Sequence, residues 1–153
     1  MPSLSLASPI GTLTLREEAG ALVELVIGGK KALDETPLLS RAKAQLEEYF
    51  AGKRRRFELA LAPRGTSFQR ALWRALAEIP YGELRTYGSL AAQLGSAPRA
   101  VGGACGRNPI PVIIPCHRVV AAASLGGYSG GAGLATKKKL LALERAEALA
   151  PHP

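Results

Sequence analysis

Hydrophobic and polar positions alternate through the opening of the chain. Leu4, Leu6 and Ala7 lead to a turn at Ser8-Pro9-Ile10-Gly11. Leu13 and Leu15 then alternate with Thr12 and Thr14, the period-two pattern of a half-buried strand. Gly20 marks a turn before a second run, Leu22 to Ile27, which Gly28-Gly29 end. The period then becomes helical. Leu38, Leu39, Ala42, Leu46 and Tyr49 or Phe50 share one face of a helix predicted from about Pro37 to Phe50 and stopped by Ala51-Gly52. Lys53-Arg54-Arg55-Arg56 precede a short predicted strand, Phe57 to Leu61. The basic run reads as a solvated turn or as a phosphate contact.

Ala62-Pro63-Arg64-Gly65 has the composition of a linker. Thr66 and Gln69 have capping-box spacing, and the helix they open carries Phe68, Leu72, Ala75, Leu76 and Ile79 before Pro80-Tyr81-Gly82 ends it. Thr86 can cap a short helix, Tyr87 to Leu94, that Gly95 stops. Ser96 is expected to cap a second helix through Pro98-Arg99-Ala100-Val101-Gly102-Gly103-Ala104-Cys105. Two short helices joined by a glycine turn form either a DNA-docking unit or a packing motif. Gly102 and Gly103 each cost about 1 kcal/mol relative to Ala in a helix, so a smooth face for close approach is expected there. Arg99 sits near the end of this helix that favours anions.

Composition narrows the field. The 153 residues are 47% hydrophobic and 21% charged, with no apolar run long enough to cross a bilayer and no leader pattern. A cytoplasmic protein with no membrane association is expected. Two cysteines and two histidines, one of them in the tail, predict no metal site. A net charge of +8 favours a polyanionic partner, nucleic acid first.

The chemistry concentrates after Arg107-Asn108. Pro109, Pro111 and Pro115 exclude a regular helix and suggest a stiff buried segment that delivers Cys116 to a fixed place. The run Cys116-His117-Arg118-Val119-Val120 is expected to open a helix, whose start would stabilise a thiolate. The bland alternative is a small buried hydrophobe. His117 stands beside Cys116, yet neighbouring helix residues do not face each other, so contact through a water is the better expectation. An acceptor must orient that histidine. Glu144, on a helix predicted from about Ala135 to Ala148, is the leading candidate, with Glu147 in competition. Tyr128-Ser129-Gly130-Gly131 lies in a glycine-rich stretch whose backbone can approach a ligand closely, or which is a plain surface loop.

The motifs Arg99-Ala100-Val101-Gly102-Gly103-Ala104, Asn108-Pro109, Ile114-Pro115-Cys116-His117-Arg118-Val119-Val120 and Tyr128-Ser129-Gly130-Gly131 resemble the O6-alkylguanine-DNA alkyltransferases over roughly Ser67 to Glu147. The resemblance implies an α/β (α+β) fold. A small N-terminal β-sheet domain with a helix, ribonuclease H-like, would span 1–62, with a linker at 63–66. A mostly helical domain with a winged-helix-like helix-turn-helix would span 67–150. It implies suicidal repair, in which the O6-alkyl group of guanine, and that of O4-alkylthymine, passes to Cys116 in one irreversible displacement. His117 would deprotonate Cys116 through water, with Glu144 orienting it. Tyr87 would contact phosphate and donate toward guanine N3. Arg99 would replace the flipped nucleotide through the minor groove, and Ala100, Gly102, Gly103 and Arg107 would lie against DNA. The Cys116 and Val119 carbonyls would read the guanine amino group. The Ser129 N–H would hold O6, Tyr128 and Gly130 would wall the pocket, and Asn108 would hold the turn before the Cys116 segment. No cofactor is implied, and a monomer acting on double-stranded DNA is expected. Cys105 reads as packing. The alternative function is a catalytically inactive reader of alkylated DNA.

Overall fold

Leucines at alternate positions fold the opening of the chain into a three-stranded antiparallel sheet, order β1-β2-β3, in a computed structural model that describes residues 1–149, with 146–149 described by backbone alone. Strands β1 (Ser3–Leu6), β2 (Leu13–Glu18) and β3 (Ala21–Ile27) bring Leu4 and Leu25 opposite Leu15 and bring Leu6 and Ile27 opposite Leu13. Ala19 and Gly20, both at positive φ, make the tight turn between β2 and β3. The expected domain end at 150 and the tail His152 lie outside the described residues, as does the side chain of Glu147.

Helix α1 (Pro37–Phe50) begins where Thr36 accepts from the Leu39 N–H, and it buries Leu39, Ala42, Gln45, Leu46 and Tyr49. Its inner face packs on β1 and β2. The expected strand Phe57 to Leu61 does not form. A single parallel bridge joins Leu61 to Leu22, while the Gln45 side chain takes both backbone groups of Glu58. The apolar pattern of that segment is right for one buried face, but Gln45 takes the backbone of Glu58, and only the Ala60 carbonyl and the Ala62 N–H bond to Leu22, too few for a strand.

Helix α2 (Ser67–Ala77) carries the capping box of Thr66 and Gln69 and buries Leu72, Trp73 and Leu76. The Trp73 indole N–H donates to the Ala104 carbonyl, and its ring fills the space where a side chain on Gly65 would stand. Strand β4 (Arg85–Thr86) leads directly into α3 (Tyr87–Leu94), which Thr86 caps and Gly95 ends at φ 64. Helix α4 (Pro98–Gly106) starts from Ala97, without a side-chain cap. Ser96 therefore does not cap it: Pro98 in the first turn fixes the start one residue later, and the Ser96 N–H closes the end of α3 on the Ala91 carbonyl.

The proline-bearing segment ends in a single 3-10 turn, Cys116–Arg118, followed by β5 (Val119–Val120) paired in parallel with β4. The glycine-rich stretch then feeds α5 (Leu134–Leu149). One hydrophobic cluster runs from Leu4 of the sheet through Trp73, Val101 and Ile110 to Leu140 of α5. No helix among the described residues is long and apolar enough to cross a membrane.

Candidate functional site

Cys116 sits on the wall of a cavity of about 1020 Å³. Three segments enclose it: β3 on one side, α4 on another, and the glycine-rich stretch on the third. Of the residues expected at the site, Cys116, Tyr87, Arg99, Gly102, Asn108, Tyr128, Ser129 and Gly130 line this space. His117 and Glu144 lie behind Cys116, both fully buried, and Val119 is sealed beneath it. Ala100, Gly103, Arg107 and the Arg99 side chain form an exposed outer face of α4.

The turn before Cys116 is fixed by one amide. Asn108 donates through Nδ2 to the Ile114 carbonyl at 2.8 Å and accepts from the Ile110 N–H at 3.0 Å. Between them, Val112 holds φ 72, a conformation costly for a β-branched residue and therefore over-determined by its surroundings. The Leu25 N–H of β3 donates to the Pro109 carbonyl at 2.8 Å, so the N-terminal sheet braces the same turn.

The expected helix start at Cys116 is absent. A three-residue 3-10 turn running into a strand has no aligned peptide dipoles to stabilise a thiolate. The Pro-x-Pro segment and the pairing of Val119 with Arg85 decide this, since β5 must extend where a helix would continue. Burial pushes the Cys116 thiol up, while a hydrogen bond from the Asn108 side chain and the charge of Lys137 pull it down. Burial outweighs them and the thiol stays above its usual range, so Asn108 and Lys137 limit the rise and do not replace the expected helix dipole.

Sequence reasoning did not single out Lys137. Its side chain is fully buried, and Nζ donates to the carbonyls of Val119 at 2.7 Å, Leu125 at 2.5 Å and Gly127 at 3.1 Å. It pins the glycine-rich stretch to β5. The only signal in the sequence was a lysine at a position that α5 turns inward, and Lys138 and Lys139 mask it. Glu24, Leu25 and Ile27 of β3 were also missed as cavity wall, because nothing in a strand pattern shows what it faces.

His117 Nε2 lies 2.6 Å from Glu144 Oε2. Arg118 binds the same carboxylate with Nε on Oε1 at 2.8 Å and NH2 on Oε2 at 3.0 Å, and its NH1 reaches the Ile79 carbonyl at 2.6 Å. Burial alone would push Glu144 up, but His117 and Arg118 outweigh it and hold the carboxyl down at about 2. Burial lowers His117, so the imidazole is neutral near neutral pH. An ionised carboxylate cannot donate, so Nε2 carries the proton. Nδ1 is then an acceptor, and it has no hydrogen-bond partner among the described residues.

Tyr87 is half-buried at the start of α3. Its ring lies where a side chain on Gly126 would come within 2.7 Å, and burial raises its hydroxyl above the usual phenol range. The Tyr128 hydroxyl is buried without a hydrogen-bond partner among the described residues. Ser129 Oγ donates to the Gly106 carbonyl at 3.3 Å, tying the glycine-rich stretch to α4. The Cys116 carbonyl accepts from the Val119 N–H and the Val119 carbonyl from Lys137, so each keeps one further lone pair. Cys105 also lines the cavity. Burial, helped by Cys116, pushes it up to about 12, so it remains a thiol. No cluster of three metal-ligating side chains occurs among the described residues.

This arrangement supplies a sulfur at a cavity wall, a neutral imidazole with a free acceptor, and beside the mouth an exposed helix face with Arg99 and, just past its end, Arg107. Two family models match the chain. The 6-O-methylguanine DNA methyltransferase ribonuclease-like domain matches residues 4–63, and the DNA binding domain of the same name matches residues 67–146. A methylated-DNA–protein-cysteine methyltransferase of Methanosarcina acetivorans is 47% identical over 148 residues, covering 90% of this chain and 94% of its own. The constitutive one of Bacillus subtilis is 44% identical over 137 residues, covering 80% and 83%. A crystal structure of Mycobacterium tuberculosis OGT in complex with DNA superposes with a TM-score of 0.87 at 42% identity, covering 96% of this chain and 94% of that one.

Proposed function

The chain belongs to the methylated-DNA–protein-cysteine methyltransferase family, and from that premise we propose that it repairs alkylated DNA by taking the alkyl group onto Cys116. The observation that carries the residue assignment is the cavity itself: Cys116 stands on its wall, with the His117–Glu144 pair directly behind.

DNA is the partner, bound as a duplex through the exposed face of α4. The reading extends to minor-groove entry, a monomer, and two lobes, 1–62 and 67–150, joined at 63–66. The O6 substituent of a stacked guanine is out of reach of a cavity wall, so the base must leave the duplex at a cost of a few kcal/mol. Arg99, at the cavity mouth, fills the gap with a flat guanidinium that both stacks and hydrogen-bonds.

Inside the cavity, His117 Nδ1 takes the Cys116 proton through a bridging water, while Glu144 holds the Nε2–H tautomer and stabilises the imidazolium. The thiolate attacks the alkyl carbon. The carbon–oxygen bond breaks, and its electron pair stays on the guanine, where Tyr87 donates at N3 and the Ser129 N–H at O6. The Cys116 and Val119 carbonyls accept the guanine amino group, and Tyr128 and Gly130 bound the alkyl side. The product is a thioether with no acyl or phosphoryl centre for water to attack, so each molecule acts once. O4-alkylthymine presents the same alkoxy carbon and is a second substrate in this reading.

Incubation with duplex DNA carrying radiolabelled O6-methylguanine tests the proposal. Label passes to the protein up to one equivalent, and Cys116→Ala abolishes it. Label that stays on DNA with the wild-type protein bound would instead support a non-reactive reader.

A further inference from the structure

Glu144 has a third partner that comes from the other half of the chain. The Tyr49 hydroxyl of α1 lies 2.5 Å from Glu144 Oε2, the oxygen that His117 Nε2 also meets. Tyr49 and Glu144 are 0% and 1% exposed, so no water competes for the bond. The ring is held in place by edge-on contacts with Phe50 and Tyr81 and a tilted contact with Phe57. Packing alone would be satisfied by a phenylalanine here. The hydroxyl is the one polar atom of this side chain, and it is aimed at the catalytic carboxylate.

We propose that Tyr49 is a positioning residue for alkyl transfer, its hydroxyl fixing Glu144 Oε2 and moderating the strength with which that carboxylate draws a proton onto His117. The N-terminal half thereby sets the basicity of a site whose reacting residues all belong to the C-terminal half. The inference rests on the reading of Cys116, His117 and Glu144 given above.

The groups facing this network come from every element around it. Arg118 lies on the Cys116 turn, Lys137 on α5, Tyr49 on α1, and Tyr81 after α2, with the Arg55 guanidinium over the Tyr81 ring at 5.2 Å. Burial and the Glu144 charge raise Tyr49 well above the usual phenol range, so its hydroxyl is a neutral donor throughout the working pH range. A donor to a carboxylate oxygen spreads its negative charge. Removing that donor concentrates charge on the oxygen facing His117, which favours the imidazolium and leaves less of the neutral base. Activity should then require a higher pH.

Tyr49→Phe keeps the ring and removes only the donor, and Phe57→Leu perturbs the packing and leaves the donor in place. Single-turnover methyl transfer from an O6-methylguanine duplex is measured for both variants between pH 5 and 9, alongside thermal melts. For Tyr49→Phe the acidic limb moves up by about half to one pH unit, so the rate well down that limb falls about three- to tenfold while the plateau above it is kept. For Phe57→Leu the melting temperature falls and the limb stays with wild type. The 15N shifts of the His117 ring, followed in the same pH series, report its protonation without reference to activity and move with the limb. Superimposable profiles and His117 titrations for wild type and Tyr49→Phe overturn the inference. A wild type that transfers no methyl defeats the functional reading instead, and the His117 titration still decides the role of Tyr49.

Discussion

Cys116 is 8% exposed, and burial raises its thiol, so its nucleophilicity depends on the few groups that reach it. Lys137 is one of them, and its ammonium is held rigidly by three carbonyls. Lys137→Met is expected to slow methyl transfer by about tenfold or more, since each unit of thiol pKa is a tenfold change in thiolate. It should also lower the melting temperature, because three buried carbonyls lose their donor. Rapid-quench kinetics with a parallel melt check both, and a wild-type rate would remove Lys137 from the activation of the sulfur. Arg99→Ala is expected to slow repair of duplex DNA far more than reaction with free O6-benzylguanine, which needs no flipping. Equal losses on the two substrates would remove the gap-filling role. Residue types made Cys116-His117 a candidate centre beside the reading of a small buried hydrophobe, and made Glu144 the leading candidate for the histidine's partner, a contact that is present at 2.6 Å. Lys137 was not legible, because burial of a lysine is decided by what α5 packs against, and no local pattern records that.

At the scale of elements, the glycine-rich stretch leaves no room for a side chain at Gly126, Gly130 or Gly131, and the first of these bears on the site. Gly126 sits at φ 71, and a side chain there would come within 2.7 Å of the Tyr87 ring. Tyr87 cannot retreat freely, because it opens α3 and Thr86 caps that helix. Gly126→Ala is therefore expected to displace Tyr87 and reduce the transfer rate about tenfold or more, with DNA affinity nearly unchanged. Binding isotherms beside single-turnover rates separate the two, and an unaltered rate would show that Tyr87 placement is not critical. The helices were legible because their signals are local: Thr66 with Gln69, Thr86 with Gly95, and the apolar faces of α1 and α2. Two segments were not. Phe57 to Leu61 lost its ladder where Gln45 took the backbone of Glu58, and Cys116–Arg118 was drawn from helix into a short turn by the pairing of β5 with β4. Both outcomes are long-range, and strand or helix propensity cannot report them.

At the scale of the molecule, the two sequence halves share one core and one buried polar network. Leu25 braces Pro109, and Tyr49 meets Glu144. That network makes stability depend on pH with a defined sign. His117 is lowered from 6.5, so below that value the unfolded chain binds a proton that the folded chain refuses. Glu144 is held at about 2 against 4.5, so its stabilising contribution is present above 4.5 and lost as pH falls toward 2. The melting temperature is therefore expected to fall from about pH 7 downward and to fall further below 4.5. Calorimetry from pH 7 to 3 checks this, and a flat profile would contradict it. The overall net charge of +8 and the exposed face of α4 fit a duplex partner whose affinity falls with salt.

The central claim is that one sulfur accepts one alkyl group and keeps it. Intact-protein mass spectrometry after incubation with excess O6-methylguanine duplex, followed by peptide mapping, tests it most directly. The account predicts one added methyl per chain, carried by the peptide that contains Cys116, with Cys105 unmodified and no further gain on longer incubation. A methyl found on Cys105, more than one methyl per chain, or an unmodified protein that has nonetheless restored the guanine would contradict it.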